Sequence, residues 1–257
     1  MPAHDLSLLI EAAKAAGDLA LRYSGRTVRR WDKPGGAGPV TEVDLAVNDL
    51  LQERLRQARP EYGWLSEESE DGAARLEADR VFVIDPIDGT SSFIEGARTW
   101  AHSIAVVEQG VVTAAVVYLP QHEKLYAAAQ GQGATLNGAR LSTGVQPSLE
   151  GAKMLAGRLL DDPQNWKAGR PGYTRAHRPS LAYRLCLVAE GRFDAMTTLR
   201  PAWEWDIAAG DLILREAGAV TSDRAARPLR FNNPEPLLDG VICANPALHR
   251  SIAEALA

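Results

Sequence analysis

The sequence predicts an α/β (α+β) fold in which layers of helix alternate with layers of sheet. A run of branched apolar residues, Val81–Ile84, suits a buried strand. Two longer runs, Ala101–Glu108 and Val111–Leu119, flank a Gln-Gly turn and indicate antiparallel strands. Amphipathic helices are expected near both ends of the chain, over Leu6–Tyr23 and Pro246–Ala257. Helices outside and strands in the middle together predict the layered arrangement.

Length and composition are those of an ordinary globular protein. A chain of 257 residues can bury a sizeable core, in one large domain or in two closely packed ones. Apolar residues make up 46% of the chain and charged residues 24%, as in soluble proteins generally. The net charge of −5 argues against a general binder of nucleic-acid polymers, because such proteins usually carry a basic stripe.

The cysteines and the apolar runs bear on the compartment. Cys186 and Cys243 both lie inside apolar runs, which indicates buried free thiols rather than a disulfide framework. The start of the sequence lacks the basic-then-apolar pattern of a signal peptide, and no apolar run approaches the length of a membrane span. We therefore expect no membrane span and a cytoplasmic location.

The region after the first helix contains a loop with two open interpretations. A short strand is expected at Thr27–Trp31, and the stretch 32–39 that follows is rich in glycine. This loop is either a surface connection or, because it carries Lys33, a substrate lid. A helix from Val40 to about Gln57 comes next. Asp44 lies in its first turn, where a carboxylate alone indicates a helix-capping group.

An acidic stretch, Glu67–Glu70, follows the short apolar segment Tyr62–Ser66. A run of this kind usually forms a solvated loop. Because the segment precedes the strand that ends near Asp85, a carboxylate at its end, Glu67, could instead complete a metal site.

The second half of the chain continues with strands and helices. The strand Lys124–Ala129 and a hairpin turn at Asn137-Gly138 complete an antiparallel meander. The further elements are expected in this order: a strand at 154–157, an irregular stretch at 160–175, a helix at 180–190, a strand at 193–199, a helix from 201 to about 217, and short strands at 219–221 and 240–244.

The most informative stretch is Asp85–Phe93, directly after the buried strand. Asp85 and Asp88 stand three positions apart at the edge of the predicted sheet. Pro86 lacks a backbone donor, so the strand ladder is expected to stop there. Gly89 permits a tight turn, and the hydroxyl residues after it can cap a helix. Such a strand, turn and helix could hold a hard cation and a phosphate together, or it could be only an acidic turn.

Five carboxylates at the ends of predicted elements could converge in one cleft. They are Asp44, Glu67, Asp85, Asp88 and Asp206. Packed together without cations, such groups repel one another and take up protons. Oxygen-only clusters are natural ligands of Mg²⁺, and no His or Cys cluster competes for a softer metal. Two or three such ions would suit phosphoryl transfer to water.

These residues carry a family resemblance. Asp85–Phe93 resembles the signature of the inositol monophosphatase-like superfamily of magnesium-dependent, lithium-sensitive phosphatases. Further matches follow in family order: Pro39-Val40-Thr41 with Asp44, Glu67-Glu68-Ser69, Leu136-Asn137-Gly138, Cys186–Gly191, Trp205–Gly210 and Glu216–Ala219. The resemblance implies a layered αβαβα sandwich of the sugar-phosphatase type with mixed and antiparallel sheets. The implied fold is one compact unit, in which residues 1–145 carry the metal motif and residues 146–257 complete the site. The protein would be a monomer or a homodimer.

The resemblance also implies roles for the acidic residues. Glu67, Asp85 and Asp88 would hold a first metal ion, with the carbonyl oxygen of Ile87 as another ligand. Asp206 would join Asp85 and Asp88 at a second ion, and Glu67 would support a third. The cofactor implied is therefore Mg²⁺, as two to three ions.

Water activation and phosphate binding are assigned in the same way. Thr90 and Asp44 would orient and deprotonate the attacking water, with Glu67 as a further catalytic residue. The backbone N–H groups of Gly89 and Thr90 would bind the phosphate. Contacts with the small phosphorylated substrate are expected from Asp88, Gly89, Thr90, Ser180, Glu204 and Asp206.

The substrate is suggested by residues around 178–206. In the inositol-specific branch a glutamate contacts the ring, and Thr198 stands at the matching place here. The Glu204–Asp206 stretch looks more like the bacterial 3′(2′),5′-bisphosphate nucleotidases, which hydrolyse 3′-phosphoadenosine 5′-phosphate, a by-product of sulfate assimilation. Candidates to bind the second phosphate are Arg178, Arg184 and Arg200. His102 and His122 are expected to be structural.

Three other interpretations remain. One is an inositol-1-monophosphatase or a related sugar or polyol phosphate phosphatase. Another is a haloacid dehalogenase-type phosphatase. In that class the two aspartates of the motif stand one residue closer together than Asp85 and Asp88, and the Asp206 motif would have no explanation. The last is a non-catalytic regulatory binding module.

Overall fold

Two β-sheets of unequal size organise the fold. The protein is represented by a computed structural model, which describes residues 2–23, 27–36 and 38–257. Over those residues a seven-stranded sheet and a five-stranded sheet form, together with two pairs of short strands. None of the described helices combines the length and apolar character needed to cross a bilayer.

The helices and strands alternate along the chain. The helices are α1 (Pro2–Leu21), α2 (Glu42–Ala58), α3 (Thr90–Ile94), α4 (Leu181–Ala189), α5 (Glu204–Glu216) and α6 (Pro246–Ala255). The strands are β1 (Arg30–Asp32), β2 (Pro39–Thr41), β3 (Gly63–Ser66), β4 (Arg80–Asp88), β5 (Ala101–Glu108), β6 (Val111–Leu119), β7 (Lys124–Ala129), β8 (Ala134–Leu136), β9 (Ala139–Arg140), β10 (Lys153–Ala156), β11 (Thr174–Ala176), β12 (Ala195–Thr198), β13 (Ala202–Trp203), β14 (Val220–Ser222), β15 (Leu237–Leu238) and β16 (Val241–Ala244).

The larger sheet has the order β3-β4-β5-β6-β7-β8-β9. The β3–β4 pair is parallel, and every later pair is antiparallel. Side chains alternate between the two faces of a strand. Phe82 and Ile84 therefore pack with α1 and α2, whereas Val81 and Val83 pack with α4 and α5. Burial on both faces explains why the strands β4 to β6 are apolar almost throughout.

The smaller sheet, with the order β11-β10-β12-β16-β14, lies on the other side of α4 and α5. Leu155 and Met196 join the cluster around those two helices. Met154 and Ile242 face the opposite way and pack with α6. The layers run α1/α2, sheet, α4/α5, sheet, α6, which confirms the predicted αβαβα sandwich.

The prediction that the strand ladder stops at Pro86 is wrong. β4 continues to Asp88, which pairs with Ala101, and the register shifts between Asp85 and Asp88. A bulge accommodates a residue without a backbone donor, so proline is tolerated there. The carbonyl of Pro86 contacts Nδ1 of buried His102 on the neighbouring strand. The bulge re-aims the two aspartates without ending the strand.

Other elements depart from the predicted bounds. The helix expected from residue 201 begins at Glu204, because Ala202 and Trp203 pair with Leu238 and Leu237. The strand expected at Thr27–Trp31 is found at Arg30–Asp32, where it pairs with β2. The strands β2, β11, β13 and β15 were not predicted, since each has only two or three residues.

Candidate active site

Three carboxylates from two elements meet at one edge of the larger sheet. Asp85 and Asp88 stand at the end of β4, and Asp206 lies in the first turn of α5. Each offers an oxygen within 4.8 Å of the others. Asp85 and Asp88 are buried, whereas Asp206 is partly exposed. The structure therefore brings together the three aspartates that were predicted to share metal ions.

The first turn of α5 is tied to the strand next to β4. The hydroxyl of Ser103 on β5 donates to the carbonyl oxygen of Trp205, at 2.8 Å. Ser103 is fully buried, so this bond is shielded from water. Asp206 is thereby held over the ends of the two strands. Ser103 was missed by the sequence reasoning, because a serine in an apolar strand gives no signal of its partner.

The electrostatics of these aspartates are unfavourable without cations. Removal from solvent raises the pKa of Asp85 well above its usual value, and the negative charges of Glu67, Asp88 and Asp206 raise it further. The pKa of Asp206 is also raised well above its usual value, by removal from solvent and then by Asp88 and Glu67. Oδ1 of Asp85 is buried and has no hydrogen-bond partner among the described residues. A divalent cation would supply both the missing charge and the missing partner, so the residues fit a metal site.

Asp88 joins the acidic cluster to the start of α4. Its carboxylate accepts hydrogen bonds from the Ser180 hydroxyl at 2.6 Å and from the backbone N–H groups of Leu181 at 3.2 Å and Ala182 at 2.6 Å. Burial raises the pKa of Asp88 in spite of these donors. Ser180 caps α4 with φ of 63°, in the region that non-glycine residues seldom adopt. Backbone strain of this kind often accompanies functional sites.

Thr90 and Asp44 are in direct contact. The Thr90 hydroxyl lies 2.9 Å from Oδ1 of Asp44 and 3.1 Å from the carbonyl oxygen of Ile87, so its single proton can be donated to either. The other carboxylate oxygen of Asp44 accepts from the backbone N–H and the hydroxyl of Thr41, at 2.9 and 2.5 Å. Asp44 therefore completes the capping box of α2 and also contacts Thr90. Burial raises the pKa of Asp44, and the bonds from Thr41 and Thr90 oppose that rise.

Gly89 makes the turn between β4 and α3. Its φ is 99°, and an added Cβ would lie 3.3 Å from the carbonyl oxygen of Thr99. Both the backbone conformation and the close approach favour glycine at this position.

Glu67 lies beside the cluster, but its carboxylate is paired with a lysine. Lys33 Nζ is 2.7 Å from Oε1 of Glu67 and 2.6 Å from Oε1 of Glu68. Glu67 contributes strongly to the pKa shift of Asp85, which places its charge close to the three aspartates. Burial raises the pKa of Glu68 to about 7, although the bond from Lys33 lowers it. The loop 32–39 therefore brings its lysine to the acidic cleft.

Glu204 does not join the cluster. Its fully buried carboxylate accepts from the backbone N–H groups of Asn232 at 2.5 Å and Asn233 at 2.9 Å, and from the Asn233 side-chain amide at 2.6 Å. Buried Arg75 binds the same loop through Asn232 and through the carbonyl oxygen of Asn233. Glu204 was expected to contact substrate, and here it anchors the loop before β15.

Known proteins are similar to this chain over most of its length. A model of the inositol monophosphatase family matches residues 2–257. An inositol-1-monophosphatase of Rhizobium meliloti (strain 1021) is 31% identical, over 98% of this chain and 95% of that protein. Nus factor SuhB of Pseudomonas aeruginosa is 37% identical, over 85% of this chain and 84% of that protein.

Solved structures share the fold. The extragenic suppressor protein suhB of Bartonella henselae has a TM-score of 0.84 and 28% identity, over 98% of this chain and 97% of that chain. An IMPase of Thermotoga maritima has a TM-score of 0.81 and 28% identity, over 99% and 96% of the two chains. The similarity in sequence and in fold therefore spans nearly the whole chain.

Proposed function

The chain belongs to the inositol monophosphatase family and is a phosphoric monoester hydrolase, and we propose that it uses Mg²⁺ to release phosphate from a small substrate with two phosphate groups. The observation that carries this proposal is the convergence of Asp85, Asp88 and Asp206, in which Oδ1 of Asp85 is buried and has no hydrogen-bond partner among the residues that the structure describes. Hard oxygen ligands of this kind favour Mg²⁺ over softer metals.

The aspartates would hold the ions with help from Glu67 and the carbonyl oxygen of Ile87. Bound Mg²⁺ polarises phosphate oxygens and makes a coordinated water more acidic. Lys33 Nζ contacts Oε1 of Glu67 at 2.7 Å, so the lysine and an ion would compete for this carboxylate. We therefore assign Lys33 a place at the edge of the metal site.

Thr90 and Asp44 would take the proton of the attacking water. When the Thr90 hydroxyl donates to Asp44 at 2.9 Å, its lone pairs are free to accept a hydrogen bond from that water. Asp44 is the group that can accept the proton through Thr90, since its raised pKa moves it towards the operating pH. The role of Asp44 is thus to orient Thr90 and to hold the proton at Oδ1.

The preferred substrate we propose is 3′-phosphoadenosine 5′-phosphate, which would give the enzyme a place in sulfur metabolism. Support comes from Thr198, which stands where the resemblance expects a ring-contacting glutamate, and from the arginines nearby. The test is a panel of this nucleotide, inositol 1-phosphate, fructose 1,6-bisphosphate and histidinol phosphate. We expect the highest kcat/KM for the nucleotide, strict dependence on Mg²⁺ and inhibition by Li⁺. Faster turnover of inositol 1-phosphate would overturn the nucleotide assignment and leave the phosphatase assignment intact.

Inositol 1-phosphate is the second candidate substrate. The name of the Rhizobium meliloti relative favours it, at 31% identity over nearly both full lengths. The same panel decides between the two substrates.

A regulatory role without catalysis is the candidate from a different class. The relative in Pseudomonas aeruginosa is called a Nus factor. Replacing Asp88 by Asn separates the two roles, because a binding module would keep its partner while hydrolysis is lost. The complete set of acidic residues supports the enzyme.

A further inference from the structure

Arg75 is a buried arginine that lies between two segments of the acidic site. It belongs to the short helical turn Ala73–Glu77, and its side chain is 2% exposed. Arginine is rarely buried to this extent unless its donors are paired, because an unpaired buried charge is costly. The partners of the guanidinium therefore show which parts of the chain Arg75 holds together.

One side of the guanidinium binds the stretch that carries Glu67. Nε and Nη2 of Arg75 donate to the two carboxylate oxygens of Asp71, at 2.6 and 2.9 Å. Asp71 lies four residues after Glu67. Two parallel bonds of this kind fix the orientation of an arginine as well as its position. The bond from Arg75 also lowers the pKa of Asp71, so the pair stays charged.

The other side of the guanidinium binds the loop before β15. Nη1 of Arg75 donates to the side-chain oxygen of Asn232, at 2.7 Å. Nη2 donates to the carbonyl oxygens of Asn233, at 2.9 Å, and Pro234, at 3.3 Å. These three residues stand 157 to 159 positions after Arg75 in the sequence. Arg75 therefore joins two distant segments of the chain.

The loop in turn holds the start of α5. Glu204 accepts hydrogen bonds from two backbone N–H groups of the loop, and its own N–H donates to the carbonyl oxygen of Pro236, at 3.0 Å. Asp206 lies in the same first turn of the helix. A chain of hydrogen bonds therefore runs from the Glu67 stretch through Arg75 and the loop to the turn that carries Asp206.

Asn48 binds the other end of the Glu67 stretch. Its side-chain oxygen accepts from the hydroxyl of Ser66 at 2.7 Å, and its amide donates to the hydroxyl oxygen of Ser69 at 3.2 Å. Asn48 is itself buried on α2. Glu67 thus lies between two buried contacts, one with α2 through Asn48 and one with the start of α5 through Arg75.

We propose that Arg75 is a positioning residue of the metal site, which sets the distance between Glu67 and Asp206 and touches neither ion nor substrate. Groups that orient metal ligands affect metal affinity. Arginine suits this task because its planar guanidinium reaches the Asp71 carboxylate and three oxygens of the loop at once. This inference rests on the proposed Mg²⁺-dependent function and adds to it a residue behind the ligands.

The charge of Arg75 would act in the opposite direction. A cation near an acidic cluster weakens the binding of another cation. Removing the charge alone would therefore strengthen the binding of Mg²⁺, whereas loss of positioning would weaken it. The sign of the change in Mg²⁺ affinity distinguishes the two effects.

The test measures the binding of Mg²⁺ to the metal-free chain by calorimetry. The Mg²⁺ concentration for half-maximal phosphate release, with the fastest substrate of the panel above, and the midpoint of urea unfolding are measured alongside. The variants are Arg75→Gln, Arg75→Lys and the matched control Arg59→Gln. Arg59 also pairs with a buried carboxylate, that of Asp5 at 3.0 Å, but it joins α1 to the end of α2.

We expect Arg75→Gln to bind Mg²⁺ about tenfold more weakly than wild type, at the lower end of the range for groups that orient metal ligands. Arg75→Lys should lose nearly as much affinity, because one ammonium group cannot reach both the carboxylate and the loop. Saturating Mg²⁺ should restore most of kcat in both variants. Arg59→Gln should unfold at a lower urea concentration than wild type and bind Mg²⁺ with wild-type affinity.

A double-mutant cycle tests the connection through the loop. Arg75→Gln and Glu204→Gln break the same chain of hydrogen bonds, so the double variant should bind Mg²⁺ only slightly more weakly than the more affected single variant. Losses of affinity that multiply in the double variant would show independent effects and overturn the proposal.

The remaining outcomes separate this inference from the proposed function. Reduced stability of Arg75→Gln with unchanged or tighter Mg²⁺ binding overturns the inference alone. So does an equal loss of affinity in Arg59→Gln. Wild-type protein that binds no Mg²⁺ overturns the proposed function as well. Where Arg75→Gln does not fold, Arg75→Lys takes its place in every comparison, because it keeps the buried charge and loses only the simultaneous contacts.

Discussion

Glu204 and Asp206 lie in the same turn of α5, yet their surroundings differ completely. Glu204 is fully buried and accepts hydrogen bonds from three N–H donors of the loop that contains Asn232 and Asn233. Asp206 is partly exposed and faces the negative charges of Asp85 and Asp88. Removal from solvent raises the pKa of both carboxyl groups. The bonds from the loop oppose that rise at Glu204, whereas the charges of Asp88 and Glu67 add to it at Asp206.

This difference separates carboxylates with a structural role from carboxylates that need a ligand. A buried carboxylate that the chain supplies with donors contributes to folding. Buried carboxylates that are left to repel one another destabilise the protein unless a cation joins them. The acidic cluster is therefore a place where stability is given up for function. Replacing an aspartate of the acidic cluster should therefore stabilise the metal-free protein, whereas replacing Glu204 should destabilise it.

Replacing Asp85 by Asn tests the acidic cluster and should have the largest effect. We expect the kcat/KM for phosphate release to fall by about three orders of magnitude, because a metal ligand is lost. In metal-free buffer the variant should unfold at a higher temperature than wild type, since one of the repelling charges is removed. Steady-state assays and thermal unfolding with a chelator measure the two effects. Asp49→Asn, at an exposed position on α2, is the control that should change neither.

Replacing Glu204 by Gln tests the structural side of the comparison. The amide keeps one acceptor but turns a donor towards the N–H groups of the loop, so we expect a loss of about 3–4 kcal/mol in the free energy of unfolding. Denaturant titration gives that value. The KM of the folded fraction should stay close to wild type. A specific rise in KM with unchanged stability would instead restore Glu204 as a substrate contact.

The same comparison shows what the sequence could predict and what it could not. The strands Ala101–Glu108 and Val111–Leu119 have the predicted bounds, because their apolar runs are long and the turn between them is distinctive. Asp206 was already one of five carboxylates expected to converge, and the family resemblance paired it with Asp85 and Asp88 at one ion. Its placement beside those two residues agrees with the expected convergence.

Distinguishing Glu204 from Asp206 required the folded chain. The two residues have similar chemistry and stand two positions apart, so no local pattern separates them. The decisive partner, Asn233, is 29 positions away. The contact between the Pro86 carbonyl and His102 of the next strand likewise joins residues 16 positions apart. A cavity lined by Arg158, Arg184 and Arg200 likewise draws on residues from three separate segments of the chain, which periodicity along the chain cannot show.

His102 contacts the backbone between Asp85 and Asp88. The carbonyl of Pro86 can only accept, so Nδ1 of His102 donates to it. Burial lowers the pKa of His102 to about 4, against about 6.5 for free histidine. The unfolded chain therefore binds more protons between these values, and stability should fall as the pH drops from about 6.5 to about 4. The contribution is about 3 kcal/mol, at about 1.4 kcal/mol for each pKa unit.

The variant His102→Gln isolates this effect. The amide can still donate to Pro86 but does not titrate, so the variant should lose less stability than wild type between pH 6.5 and 4. Unfolding free energies from urea titrations across that range provide the measurement. His4→Gln, an exposed histidine of α1, should keep the wild-type pH dependence. An unchanged slope in His102→Gln would contradict the buried neutral histidine.

Lys33 pairs with two carboxylates beside the acidic cluster, and of the four substitutions its replacement should have the smallest effect. Its ammonium group is largely buried and neutralises Glu67 and Glu68, so here the chain itself supplies the cation. In Lys33→Gln we expect the metal-free protein to lose about 1 kcal/mol, or about 2–4 °C in Tm. The rise in Tm on adding Mg²⁺ should then exceed that of wild type, because the ion no longer competes with the lysine for Glu67. Arg29→Gln removes an exposed pair with Glu42 near the same loop and should leave the Mg²⁺-induced rise unchanged. A smaller rise in Lys33→Gln than in wild type would mean that Lys33 supports the metal site and does not compete with it.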